Sequence, residues 1–102
     1  MKLIRDNIHN FVEDKNRVFQ LEKMNDLSFQ TVLKDKLQEE TQEVIEAKPE
    51  QMLEELADVY EVLLALGAVS GHTLSSIQAF ADQKRNTLGG FRDRWFLREE
   101  QS

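Results

Sequence analysis

The residues best suited to chemistry are five carboxylates gathered in one stretch. Glu39, Glu40 and Glu43 come first; Glu55 and Asp58 follow after Lys48-Pro49. A helix advances about 100° per residue, so the first three fall within an arc of roughly 100° on one helix. Glu55 and Asp58 form an i,i+3 pair and so are surface neighbours on the next helix. If the two helices fold back as a hairpin, all five can converge. Carboxylates held together repel unless something neutralises them, and a hard divalent cation with oxygen ligands does so. Mg²⁺ is the first expectation, with Mn²⁺ as the alternative ion. Acidic helix faces are more often plain solvated surface. What sets these apart is the adjoining apolar stripe: Val32, Leu33, Leu37, Val44 and Ile45 on the first helix, Met52, Leu56, Val59, Leu63 and Leu66 on the second. Glu55 and Asp58 lie at the edge of the second stripe, which predicts half-buried acids at a helix–helix seam, where an unbalanced charge is costly.

The elements that must position these acids can be read from caps and breakers. Ser28 is expected to cap a helix running from Phe29 to about Ala47, with Leu27 as a staple. Lys48-Pro49 ends it, because a residue before proline avoids the helical region and proline suits a first turn. A second helix is expected from about Pro49 to Ser70, with Gly71 at its end and Gly67 marking close packing or fraying. Thr73 or Ser75 would cap a third, carried by Leu74, Ile77, Phe80 and Ala81 to about Leu88 and stopped by Gly89-Gly90. Residues 2–14 have helix-compatible spacing in Leu3, Ile4, Ile8, Phe11 and Val12. Residues 13–25 read as a connector with a turn or short extended piece, and the tail from Phe91 to Leu97 as at most another. The expected fold is all-α, a compact helical bundle on a central antiparallel hairpin, forming a single domain over residues 1–102.

Composition bounds the function. A chain of 102 residues with 40% hydrophobic content suits one core. Without Cys there are no disulfides or thiolate metal sites, and nothing points to an oxidising compartment. The longest apolar run, Val62 to Val69, is eight residues with a glycine inside, too short to span a membrane. The N-terminal residues lack a signal-peptide core, so a cytoplasmic protein is expected. A net charge of −6 argues against nucleic-acid or anionic-membrane partners. Any phosphate ligand must therefore bring its own cation. Arg5 is suited to clamping a phosphate, or to a surface ion pair. Apolar residues spread round more than half of the second helix, Tyr60, Leu63, Leu64 and Leu66 among them, which predicts a homodimer or a dimer of dimers. His9 and His72 have no second His at ligand spacing and read as surface or loop residues. Trp95 and Phe96 read as interface anchors ahead of base-stacking groups.

The pattern Glu39-Glu40-x-x-Glu43, eleven residues, then Glu55-x-x-Asp58 resembles the EExxE…ExxD signature of the all-α nucleoside triphosphate pyrophosphohydrolase superfamily, which includes MazG, dimeric dUTPases and phosphoribosyl-ATP pyrophosphohydrolases. Lys2-Leu3-Ile4-Arg5-Asp6 is similar to the KLVRD opening of a small phosphoribosyl-ATP pyrophosphohydrolase-like house-cleaning branch, and Lys84-Arg85 with Gly89-Gly90-Phe91 to its K-R…GGF close. The chain departs from that branch at Asn7-Ile8-His9, where a proline commonly follows the opening, and at Asn86-Thr87-Leu88, which separates the basic pair from the glycines. The resemblance implies Mg²⁺-dependent cleavage of nucleoside triphosphates to monophosphate and pyrophosphate. It implies Glu40, Glu43, Glu55 and Asp58 as metal ligands, and Glu39 as a further ligand or the base acting on water. Lys84 and Arg85 would face the phosphates, with Lys2, Arg5 and Asn86 as further substrate-binding groups. Cations at a helix C-terminus, however, need no ligand to be favourable there. Two readings from other classes stand beside this one: a helical adaptor or regulatory module without catalysis, and a nucleotide-sensing binder that holds a triphosphate without cleaving it.

Overall fold

The computed structural model describes residues 2–8 and 21–100. His9, Phe11, Val12 and the expected connector up to residue 20 lie outside the described residues. Residues 2–5 carry no regular secondary structure and a turn follows at Asp6–Ile8, where Ile8 N–H donates to the Arg5 carbonyl. The helical spacing expected from residue 2 onward is therefore not realised in residues 2–8.

Three helices follow, and the first begins a turn earlier than Ser28 suggests. α1 spans Asp26–Glu46, capped by Asn25, whose side chain accepts from Ser28 N–H at 2.8 Å. Ser28 is thus the residue that receives the cap, three positions inside. At the far end Lys48 is extended (φ −72°, ψ 157°), as a residue before proline must be, and a 3₁₀ turn over Pro49–Gln51 leads into α2, Met52–Val69. The Gln51 side chain accepts from Lys48 N–H at 3.2 Å, closing the corner. α2 ends at Gly71, whose φ of 85° suits glycine, and His72 N–H returns to the Gly67 carbonyl at 2.7 Å. Thr73 then caps α3, Leu74–Leu88, accepting from Ser76 N–H, and Gly89 at φ 82° closes it. There is no strand among the described residues.

α1 and α2 form the antiparallel hairpin, tied near its open end by Gln30 Nε2 donating to Ser70 Oγ. α3 reaches α2 but not α1. The α2–α3 corner is tight because Gly67 has no side chain: a Cβ there would meet Ile77 Cδ1 at 2.7 Å. Gly67 therefore marks close packing, not fraying. Among the described residues, the buried apolar side chains are Leu33 of α1 (2% exposed) and Val62 of α2 (7%). Tyr60 and Leu63 of α2 remain 47% exposed, and Phe80 of α3 64%. The seam of α2 is thus centred on Val62, one position away from the Leu63 expected from the sequence. Among the described residues no helix is long and apolar enough to cross a membrane.

Candidate metal centre

Helix phase explains which acids meet. Leu33 and Val62 mark the directions in which α1 and α2 face each other. At about 100° per residue, Glu40 stands only ~20° from Leu33, whereas Glu43 is turned by ~80° and Glu39 by ~120°. On α2, Glu55 lies ~20° and Asp58 ~40° from Val62. Because the helices are antiparallel, moving forward from Leu33 on α1 and backward from Val62 on α2 leads to the same end of the seam. Glu40, Glu55 and Asp58 accordingly converge there, half-buried, each offering one carboxylate oxygen within 4.8 Å of the others.

The two outer acids do not join that group. Glu43 is exposed at the rim, close enough to Glu55 to act on it electrostatically. Glu39 is exposed and held by Lys36 at 3.4 Å. Lys36 itself is largely covered and also reaches Glu40 at 3.2 Å. Burial pulls the Lys36 pKa down, but its hydrogen bond to Glu40 and the charges of both glutamates outweigh this and raise it overall. Lys36 was missed in the sequence, although its i,i+3 and i,i+4 spacing to Glu39 and Glu40 is a readable sign. A second cation, exposed, comes from the N-terminal segment: Arg5 Nη2 donates to Asp58 Oδ1 at 2.7 Å. Glu55 makes no ion pair among the described residues. Its carboxyl is raised above the ordinary range, first by desolvation and then by Glu43, Asp58, Glu54 and Glu40.

Arg5, Lys2 and Lys36 line a cleft of about 720 Å³ between residues 2–8 and the α1–α2 seam, with Glu40 and Asp58 in its wall. Lys84, Arg85 and Asn86 are exposed on α3 and take no part in lining it. Arg85 pairs with Asp82 at 2.7 Å, and Asn86 borders a shallow depression with Phe80 and Asp82. Within one chain the acidic and basic motifs are therefore not brought together.

The donor set suits a hard cation. Octahedral Mg²⁺ with ligands near 2.1 Å spans oxygens by at most about 4.2 Å. The three carboxylate oxygens, all within 4.8 Å of one another, lie close to that span. The partial neutralisation by Lys36 and Arg5 leaves Glu55 as the acid with most to gain from a cation. Comparison with known proteins finds no matching family model, no matching curated protein and no matching solved structure. The reading of this centre rests on its residues and their geometry.

Proposed function

We propose that this chain is a MazG-like nucleoside triphosphate pyrophosphohydrolase, acting with Mg²⁺, or Mn²⁺ in its place, to release pyrophosphate and a monophosphate in nucleotide house-cleaning. The observation that carries the reading is the convergence of Glu40, Glu55 and Asp58 from two helices at a half-buried seam, beside a cleft whose lining includes Lys2, Arg5 and Lys36. A bound cation would offset charge on the phosphate oxygens and acidify water. Glu40, Glu55 and Asp58 would hold it, with Glu43 reaching in from the rim. Arg5 and Lys36, once their carboxylates take the metal, would turn toward the polyphosphate as charge clamps. Glu39 lies outside the triad and is assigned as the acceptor of the proton from the attacking water.

The apolar face of α2 that Tyr60 and Leu63 leave uncovered supports a homodimer or dimer of dimers as the working form. Lys84, Arg85 and Asn86 have no route to the acids within one chain, and a second copy is the means by which they would reach them.

Pyrophosphate release from a panel of ordinary and damaged nucleoside triphosphates with Mg²⁺ tests the reading. Cleavage in ¹⁸O-labelled water should place the label in the monophosphate, since attack is assigned to the α-phosphorus. Label found only in pyrophosphate or orthophosphate would defeat it. The Arg5–Asp58 and Lys36–Glu40 pairs favour one rival, in which the acids form a structural ion-pair network of a non-catalytic module. That rival expects no Mg²⁺ binding by calorimetry and no product.

A further inference from the structure

The cleft walled by Glu40 and Asp58 of the triad holds both charged and apolar groups. Glu40, Asp58, Lys36 and Arg5 are charged and gathered at the metal side. The rest of the lining mixes polar Lys2, Asp6, Asn7 and Glu61 with an apolar set, in which Leu3 and Ile4 of the N-terminal segment share the cleft with Phe29, Leu33, Val62 and Ala65 of the hairpin. Leu3, Ile4 and Phe29 are half-buried and so already partly shielded from water. A volume of about 720 Å³ falls within the range of roughly 300–1,000 Å³ usual for small-molecule sites. An occupant that uses both groups has a polyanionic end that brings a cation and a flat apolar end. A nucleotide has that form.

We infer that residues 2–8 wall a pocket in which the base of a nucleoside triphosphate packs against Leu3, Ile4 and Phe29 while its phosphates extend to the acidic triad. This rests on the hydrolase reading and adds to it the place of the base. The sequence offers no base-reading pocket, because Leu3 and Ile4 lie far along the chain from the helices they face. Since Leu3, Ile4 and Phe29, the residues assigned to the base, are apolar, they hold it by contact area and not by a hydrogen-bond pattern. Discrimination between bases is correspondingly weak, with purines binding more tightly than pyrimidines by less than about tenfold.

Calorimetry on the full chain with Mg²⁺ tests this, using α,β-methylene-ATP, which resists cleavage between the α- and β-phosphates, and inorganic tripolyphosphate, which has no base. The nucleotide should bind at least about tenfold more tightly than tripolyphosphate, as expected for burying one aromatic ring. The Leu3→Ala/Ile4→Ala variant should lose that advantage and leave tripolyphosphate affinity unchanged, with the helical circular dichroism intact because residues 2–5 are not helical. Ala65→Leu, which fills the pocket from the opposite wall, should do the same. Equal affinity for the two ligands in the unaltered protein, or a nucleotide advantage that survives both variants, overturns the pocket alone. Failure of both ligands to bind overturns the pocket and the hydrolase reading together.

Discussion

The seam between α1 and α2 and the outer half of α3 carry opposite charges and are built in opposite ways. At the seam, two helices joined by a short corner press Glu40, Glu55 and Asp58 together, and the fold spends Lys36 and Arg5 to balance them. On α3, Lys84, Arg85 and Asn86 face solvent, and Arg85 merely pairs with its neighbour Asp82. Groups that tertiary packing holds in an electrostatically costly arrangement are candidates for chemistry. Groups that local geometry fully explains are not, until something else packs against them.

The largest effect should come from the seam itself. Glu55→Gln or Glu40→Gln is expected to lower Mg²⁺-dependent pyrophosphate release by more than about 100-fold, since even outer-sphere partners of metal ligands commonly cost 10–100-fold. Asp58→Asn should do likewise, and Glu43→Gln should cost less, as befits a rim position. Glu55→Gln and Glu43→Gln should melt no lower than the unaltered protein in EDTA, because a clustered like charge has been removed without breaking an ion pair. A variant that unfolds without metal would mark its acid as structural. Next in size is the assembly: light scattering should return at least twice the 11.9 kDa of one chain, and Leu63→Glu should reduce it to a monomer. If a second copy brings the α3 cations to the triad, Leu63→Glu and Arg85→Ala lower activity while Mg²⁺ affinity stays constant. A fully active monomer would instead leave α3 with no part in the site.

Arg5→Gln sharpens the contrast on a smaller scale. Removing the cation that competes for Asp58 should raise nucleotide-free Mg²⁺ affinity by up to about fivefold, the worth of an exposed ion pair, and calorimetry reads this directly. The smallest effect is a pH dependence. Glu55 is raised in the fold, so the folded state holds its proton more firmly than the unfolded chain does. Its contribution to metal-free stability is then fully present below the ordinary glutamate value and is lost as pH climbs from there through the raised pKa. Melting curves in EDTA across that window should show the decline; Glu55→Gln should flatten it, and saturating Mg²⁺ should mask it.

Breakers and caps were legible because their chemistry is local. Pro49, Thr73, Gly71 and Gly89 each do what backbone geometry demands of them. Ser28 misled because Asn25 and Ser28 are both good caps at helical spacing, and the earlier one prevails. The phase of α2 was one position off because that helix is apolar round most of its surface, so periodicity alone does not select Val62 over Leu63. That phase decides the site: once Leu33 and Val62 are known to face each other, three acids fall at the seam and two fall outside it. The part played by residues 2–8 could not be read locally, since it depends on Arg5 meeting Asp58 across 53 positions.

That separation also sets an order of events. Contacts near in sequence form early, and those that close long loops form late. Glu40 and Glu55 are brought together by a hairpin whose corner is fixed by Lys48-Pro49, whereas Arg5 must travel from the beginning of the chain. A chain that folds in this order is expected to gather the carboxylates while only Lys36 is near to balance them. Divalent ions or added salt in the refolding buffer should shorten that stage and speed folding, so the ion assigned to catalysis would also assist the chain in reaching its native form.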